Sequence, residues 1–435
     1  MIDFTIRDVV ARAIFDSRAN PTVEVEVTLA SGATGRGMVP SGASTGAHEA
    51  LELRDSDAPT VLQGKGVQTA LSHVRTELRG LLLGKDARRQ AEIDHLMIDL
   101  DGTQNKSRLG ANAILGCSLA VAHAAATGSR EPLYRYLGGA AASVLPLPMI
   151  QIIGGGAHAV DTVDVQDYLV MPLGAKSFRE AVCMVAEVYH AAKKVFTRHG
   201  KPLAIADEGG LWPSGFQGNE EGLQLLTESI LAAGFKPMED VAIALDVASS
   251  EFYDSRSGVY TLRSDKRQLD RAAFVQLLAR WVEDYPIISI EDGCAEDDWE
   301  GHRLLTQTLG DKIQLIGDDL FTTSIPRIRE GIAQGACNAV LIKMNQIGTL
   351  TQTLEAIAFT QGAGMLPVVS ARSGETEDTT IAHLALASNA GQLKVGSIAR
   401  SERNAKWNEL MRIEDSIGPQ LKYAGNLFQG RFLKR

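Results

Sequence analysis

Apolar and polar residues alternate with a period of two along Thr22-Val23-Glu24-Val25-Glu26-Val27-Thr28-Leu29, which predicts a strand with one face toward water. The small residues Ala30-Ser31-Gly32-Ala33 follow as a turn, so a hairpin is expected. From about residue 60 to 137 the pattern becomes helical, punctuated near Gly84-Lys85-Asp86 and Asp99-Leu100-Asp101-Gly102. Strands followed by helices predict an α+β module. A charge-free run lies between Arg108 and Arg130, but Asn112, Ser118, His123 and Thr127 interrupt it. A buried helix is expected there and no membrane span. Leu145-Pro146-Leu147-Pro148 breaks any helix and marks a junction. Two domains are expected: an N-terminal α+β cap over 1–137 and a C-terminal β/α barrel over 138–435.

The second part reads differently. Val241-Ala242-Ile243-Ala244-Leu245, Ile287-Ile288-Ser289-Ile290 and Ala339-Val340-Leu341-Ile342 are almost continuously apolar and alternate with helical stretches to about residue 410. A parallel sheet buried on both faces requires such strands. A charged residue closes each apolar stretch in turn: Asp246, Glu291, Asp318, Lys343, Arg372 and Lys394. From Glu291 on they are 22 to 29 residues apart, the rhythm of βα units. If the strands close into a barrel, these residues meet at the mouth formed by the strands' carboxyl ends.

Composition narrows the chemistry. The 435 residues suit a barrel with a smaller partner, and 45% hydrophobic with 22% charged residues is a globular balance. A net charge of −10 argues against nucleic-acid binding. Cys117, Cys183, Cys294 and Cys337 form no CxxC pair, so neither a disulfide framework nor a zinc site is suggested and a cytoplasmic setting is expected. The first residues lack a signal-peptide pattern.

Asp246, Glu291 and Asp318 offer three oxygen ligands of the kind Mg²⁺ takes, although each alone would suit a helix cap or a loop salt bridge. Lys343, set where an apolar strand would continue, is a candidate general base; burial and nearby Lys394 are expected to lower its pKa, while a carboxylate–metal cluster pulls it in both directions. Its alternative is a structural ion pair. Ser41-Gly42-Ala43-Ser44-Thr45-Gly46 is a flexible loop or an anion-binding one, and is not a P-loop because the lysine is missing. Gly154-Gly155-Gly156-Ala157-His158 and Ala206-Asp207-Glu208-Gly209-Gly210 leave the same choice open.

Together these segments resemble enolase, along almost the whole chain. The resemblance rests on Asp16 to Glu24, Ser41 to Gly46 with His48-Glu49-Ala50-Leu51-Glu52, Asp207-Glu208-Gly209-Gly210, Ser250-Glu251-Phe252-Tyr253, Ser289-Ile290-Glu291-Asp292-Gly293, Gly317-Asp318-Asp319-Leu320, Leu341-Ile342-Lys343, Arg372 to Asp378, and Lys394. It implies an α/β fold, an enolase-type (β/α)8 barrel with an irregular start behind a smaller N-terminal α+β domain. It implies two Mg²⁺ per site, the first on Asp246, Glu291 and Asp318, the second recruited with substrate near Ser44. Lys343 would remove the proton α to a carboxylate, and Glu208 would protonate the departing hydroxyl. Asp167 and His158 would stand near the reacting end. Ser44, Arg372, Ser373 and Lys394 would hold a small anionic, phosphorylated substrate. A homo-oligomer, a dimer or a multiple of dimers, is implied as well.

Four positions depart from the family's pattern. Ala371 stands for a histidine, Asp167 for a glutamate, Gly154 for an asparagine and Ala19 for a glycine. Ala371 removes a polar group and opens space, and Asp167 draws its carboxylate back by roughly 1.5 Å. Both changes fall beside the leaving-group side. The expectation drawn from them is a specialised enzyme, carboxyphosphonoenolpyruvate synthase, joining 2-phosphoglycerate with a nucleotide-activated phosphonoformate. The alternatives are an ordinary phosphopyruvate hydratase and a non-catalytic protein on the same scaffold.

Overall fold

The computed structural model describes residues 2–42, 45–159 and 162–433. Near the N-terminus, strands β1 (Ile6–Phe15), β2 (Pro21–Leu29) and β3 (Thr34–Met38) form an antiparallel meander. The expected hairpin is the β2–β3 turn. Val23, Val25, Val27 and Leu29 bury one face of the sheet, against helix α1 (Ala111–Ser129). That helix is long and apolar enough to cross a membrane, yet its apolar window is 89% buried inside the fold.

Glycines set the helix-to-sheet distance. A Cβ on Gly35 would lie 1.9 Å from the Ala124 nitrogen and 2.4 Å from the Ala120 carbonyl oxygen. Both are backbone atoms of a rigid helix, so nothing cheap can move. Gly35→Ala is therefore expected to destabilise the protein by about 3 kcal/mol, read as a lowered urea midpoint. An unchanged midpoint would refute this packing argument.

Eight strands close the barrel: β4 (Leu147–Gly154), β5 (Asp167–Met171), β6 (Ala242–Asp246), β7 (Ile287–Glu291), β8 (Gln314–Gly317), β9 (Ala339–Ile342), β10 (Leu366–Ser370) and β11 (Gln392–Ser397). Around the ring the order is β7-β8-β9-β10-β11-β4-β5-β6. All neighbours are parallel except that β5 runs antiparallel to both β4 and β6. This is the irregular start that the resemblance implies. Because β5 is reversed, its first residue, Asp167, comes to the end of the barrel where the other strands finish.

Every residue of the eight barrel strands but Leu366 is buried, as near-continuous apolar runs require. Inside, Leu147, Met149, Leu169, Met171, Ala242, Ala244, Leu341 and Val368 pack with Phe428 and Phe432 of the C-terminal segment. Gln314, Gln392 and Ser289 form a buried polar group in which each amide finds a partner. The apolar filling leaves only the mouth for charge.

Candidate active site

Asp246 ends β6 and sits in register with Glu291, the last residue of β7, and with Asp167 at the start of β5. Asp318 follows β8 and Lys343 follows β9, whereas Lys394 lies within β11. The Lys394 ammonium donates to Asp246 Oδ2 at 2.7 Å and to the two Glu291 oxygens at 2.7 and 2.8 Å. The Lys343 ammonium donates to Asp318 Oδ2, and the Gln346 amide donates to Asp318 Oδ1 at 2.8 Å. Two lysines thus interleave the three acids. Asp292 accepts from the backbone N–H groups of Asp318 and Asp319 at 2.8 and 2.9 Å, which fixes the turn that aims Asp318.

A second wall is built from Asp167, His158 and Glu208, whose ligand-type atoms lie within 4.8 Å of one another. His158 Nδ1 is 2.8 Å from Asp167 Oδ1, and its Nε2 is 3.8 Å from Glu208 Oε1. The fully buried Arg403 donates to the carbonyls of Arg372, Val395 and Ser373 and stands 3.8 Å from Glu208.

Charge and burial divide the proton affinities of the two walls. Burial pulls the Lys343 ammonium down, but Asp318, Glu291 and Asp319 outweigh burial and Arg372, so its pKa lies above the ordinary lysine value. The expected lowering is therefore corrected. Asp318 touches the ammonium directly, while the charge of Lys394 is taken up by Asp246 and Glu291. Burial raises Glu208 despite His158 and Arg403. Burial acts downward on His158, yet Asp167 and then Glu208 lift it to about 9. Burial acts upward on Asp167, but His158 and Lys394 hold it below the usual carboxylate range. At neutral pH the wall pairs an imidazolium with the Asp167 carboxylate, beside a Glu208 whose proton affinity burial has raised.

Arg372 donates to Glu49 Oε2 at 2.8 Å and is 97% buried. Its turn is stitched to the N-terminal loop by paired backbone hydrogen bonds between Ser41 and Gly374, at 2.8 and 2.9 Å. Ser373 lines the same pocket, which also touches His158, Gln166, Glu208, Lys343 and Lys394. The Ala371 methyl forms part of its wall. Ser44 lies outside the described residues. Ala19 takes a left-handed φ of 59°, a conformation that favours the glycine the resemblance expects.

The donor set suits a hard dication. Asp167, Glu208, Asp246, Glu291 and Asp318 are buried carboxyl groups, and their cationic neighbours are Lys343, Lys394, His158 and Arg403, Arg372 being paired with Glu49. Burial and then Asp246 drive Glu291 well above the carboxylate range, with Lys394 offsetting only part. Gln166 donates to Asp246 Oδ2 at 3.2 Å, and its own carbonyl oxygen is buried without a partner among the described residues. Clustered buried carboxyl oxygens and an unused oxygen acceptor at one mouth are what Mg²⁺ binds well.

Residues 6–137 match the family model "Enolase, N-terminal domain" and residues 142–431 match "Enolase, C-terminal TIM barrel domain". The chain belongs to the enolase family. It is also similar to Enolase 1 of Desulfitobacterium hafniense (strain Y51), 62% identical over 423 residues that cover 97% of this chain and 96% of that protein. As an enolase homologue it is a carbon–oxygen lyase of the enolase superfamily, and Mg²⁺ is the metal that enolases use. The similarity overturns the expected carboxyphosphonoenolpyruvate synthase, and with it a role in phosphonate biosynthesis. A relative this similar over nearly its whole length is an enolase, and the space beside Ala371 belongs to the pocket itself.

The structure brings every described candidate, Asp246, Glu291, Asp318, Lys343, Lys394, Asp167, His158, Glu208, Arg372 and Ser373, to one mouth. Sequence reasoning missed Gln166, Gln151 and Arg403. The two glutamines carry the signal that exposed Lys343, a polar residue inside an apolar strand or next to one, as in Met149-Ile150-Gln151-Ile152-Ile153. Arg403 lies on a helix of ordinary polarity and gives no such signal.

Proposed function

We propose that this enolase is an ordinary phosphopyruvate hydratase, interconverting 2-phosphoglycerate with phosphoenolpyruvate and water. The observation that carries the reading is the placement of Lys343 and the Asp167 wall. β9 and β5 lie four places apart in the eight-membered ring, so the two proton-handling groups face each other across the mouth. In this scheme the Lys343 amine takes the proton from carbon 2. Glu208 then gives its proton to the hydroxyl on carbon 3, which leaves as water as the double bond forms. His158 and Asp167 hold the charge balance around Glu208. Arg372, Ser373 and the Ser44 loop hold the phosphate, and Lys394 lies where the substrate carboxylate meets the acids.

Asp246, Glu291 and Asp318 would hold Mg²⁺, and a second ion would arrive with substrate. When bound, Mg²⁺ supplies positive charge that weakens the hold of Asp318 on the Lys343 proton and stabilises charge developing on the substrate carboxylate. The same reading carries a cytoplasmic setting, no nucleic-acid or membrane partner, and assembly as a dimer or a multiple of dimers.

Phosphorus NMR tests it. With Mg²⁺ and 2-phosphoglycerate the protein should produce phosphoenolpyruvate, a chelator should stop the reaction, and added Mg²⁺ should restore it. Absence of phosphoenolpyruvate under saturating Mg²⁺ would end the proposal.

A further inference from the structure

We propose that Gln151 is a positioning residue whose carboxamide locks the acid wall together, and that Gly154 is glycine because this carboxamide needs the room. The side chain is fully buried. Its amide donates to Asp167 Oδ1 and lies 3.5 Å from His158 Nδ1, while its carbonyl accepts from the Gly210 N–H at 2.9 Å. One neutral group thereby joins β5, the His158 turn and the Ala206–Gly210 turn that carries Glu208. An amide brings no charge, so it orients Asp167 without competing with His158 for its proton.

Two glycines make the slot. A Cβ on Gly210 would lie 2.5 Å from Gln151 Oε1. A Cβ on Gly154 would lie 2.7 Å from the Ala206 Cβ and 3.0 Å from Gln151 Nε2. Residues three apart on a regular strand face opposite ways, but the register of β4 shifts between Gln151 and Ile153. The irregularity turns positions 151 and 154 toward the same space, so only one of them can fill it. Asp167, the shorter acid, is thus held by a donor from β4 itself.

The inference rests on Glu208 being the group that protonates the leaving hydroxyl, and its test separates the two ideas. Gln151→Leu keeps the volume and removes both hydrogen bonds. It should slow phosphoenolpyruvate formation by about 100-fold in kcat, with KM and α-proton exchange in D₂O within about threefold of wild type. The Gly210 amide should exchange faster by hydrogen-exchange NMR or mass spectrometry. The amide function should also be movable. Gly154→Asn alone should lose activity by crowding Gln151, whereas the Gln151→Ala/Gly154→Asn double variant should recover at least about tenfold over Gln151→Ala.

Equal loss of exchange and elimination in Gln151→Leu, unchanged Gly210 exchange, or no recovery in the double variant would overturn the proposal. Glu208→Gln is the control. If that variant eliminates at the wild-type rate, the assignment of the acid falls whatever Gln151 does. If it is strongly slowed in elimination while Gln151→Leu eliminates at the wild-type rate, only the clamp falls.

Discussion

Lys343→Ala should abolish exchange of the 2-phosphoglycerate α-proton with D₂O and reduce turnover by about 10⁴-fold or more. The amine is the group set directly after β9, half a ring from the Asp167 wall, and its removal leaves no base on that side of the scheme. The same variant should keep Mg²⁺ affinity or raise it slightly. Burial acts to raise the Asp318 pKa and Lys343 is the largest influence acting to lower it, so alanine there leaves Asp318 with an uncompensated demand for positive charge. Mg²⁺ can meet that demand. Without metal, the variant should be less stable than wild type, because a buried carboxylate has lost its partner. Proton NMR of the exchange and calorimetric titration with Mg²⁺ read the two halves separately. Exchange surviving the substitution would remove Lys343 from the mechanism, and a large fall in Mg²⁺ affinity would mean that the lysine builds the metal site.

Much of this site was legible because charge is costly inside an apolar strand. Asp246, Glu291, Asp318 and Lys343 each interrupt a run of buried residues, and the repeat of βα units carries them to one end of the barrel. The reversal of β5 has no such mark. Tyr168-Leu169-Val170-Met171 is equally apolar in either direction, and only the resemblance to enolases anticipated the irregular start. The Lys343 pKa was misjudged for a related reason. Burial can be read from neighbouring residues, whereas the contact with Asp318 depends on two loops 25 residues apart meeting at one point.

The departures at Ala371 and Asp167 were overread as a change of reaction because the partner that holds the shorter acid cannot be read from the hydrophobic pattern. In three dimensions Asp167 and the departure at Gly154 meet at one side chain. Gln151 donates to Asp167 and occupies the space beside Gly154, an arrangement that depends on a register shift in β4. The shift is invisible in the hydrophobic pattern because both faces of that strand are buried.

Glu208→Gln should separate the two halves of the reaction, lowering phosphoenolpyruvate formation by about 10³-fold while α-proton exchange continues near the wild-type rate. Glutamine keeps the shape and the hydrogen-bonding capacity of the wall but cannot deliver the proton that the leaving hydroxyl needs. A second consequence follows from charge. The His158 pKa is pulled down by burial and lifted by Asp167 first and Glu208 second, to about 9. Removing the Glu208 charge must therefore lower it, since the imidazolium loses one of its two nearest anions. Nitrogen NMR of labelled histidine measures that midpoint directly. The ion pair with Asp167 should persist, because its 2.8 Å contact is untouched, so the fall should stop above the ordinary histidine value only if Asp167 remains ionised. A parallel loss of exchange and elimination would put Glu208 on the same proton as Lys343, and the division of labour across the barrel mouth would then be wrong.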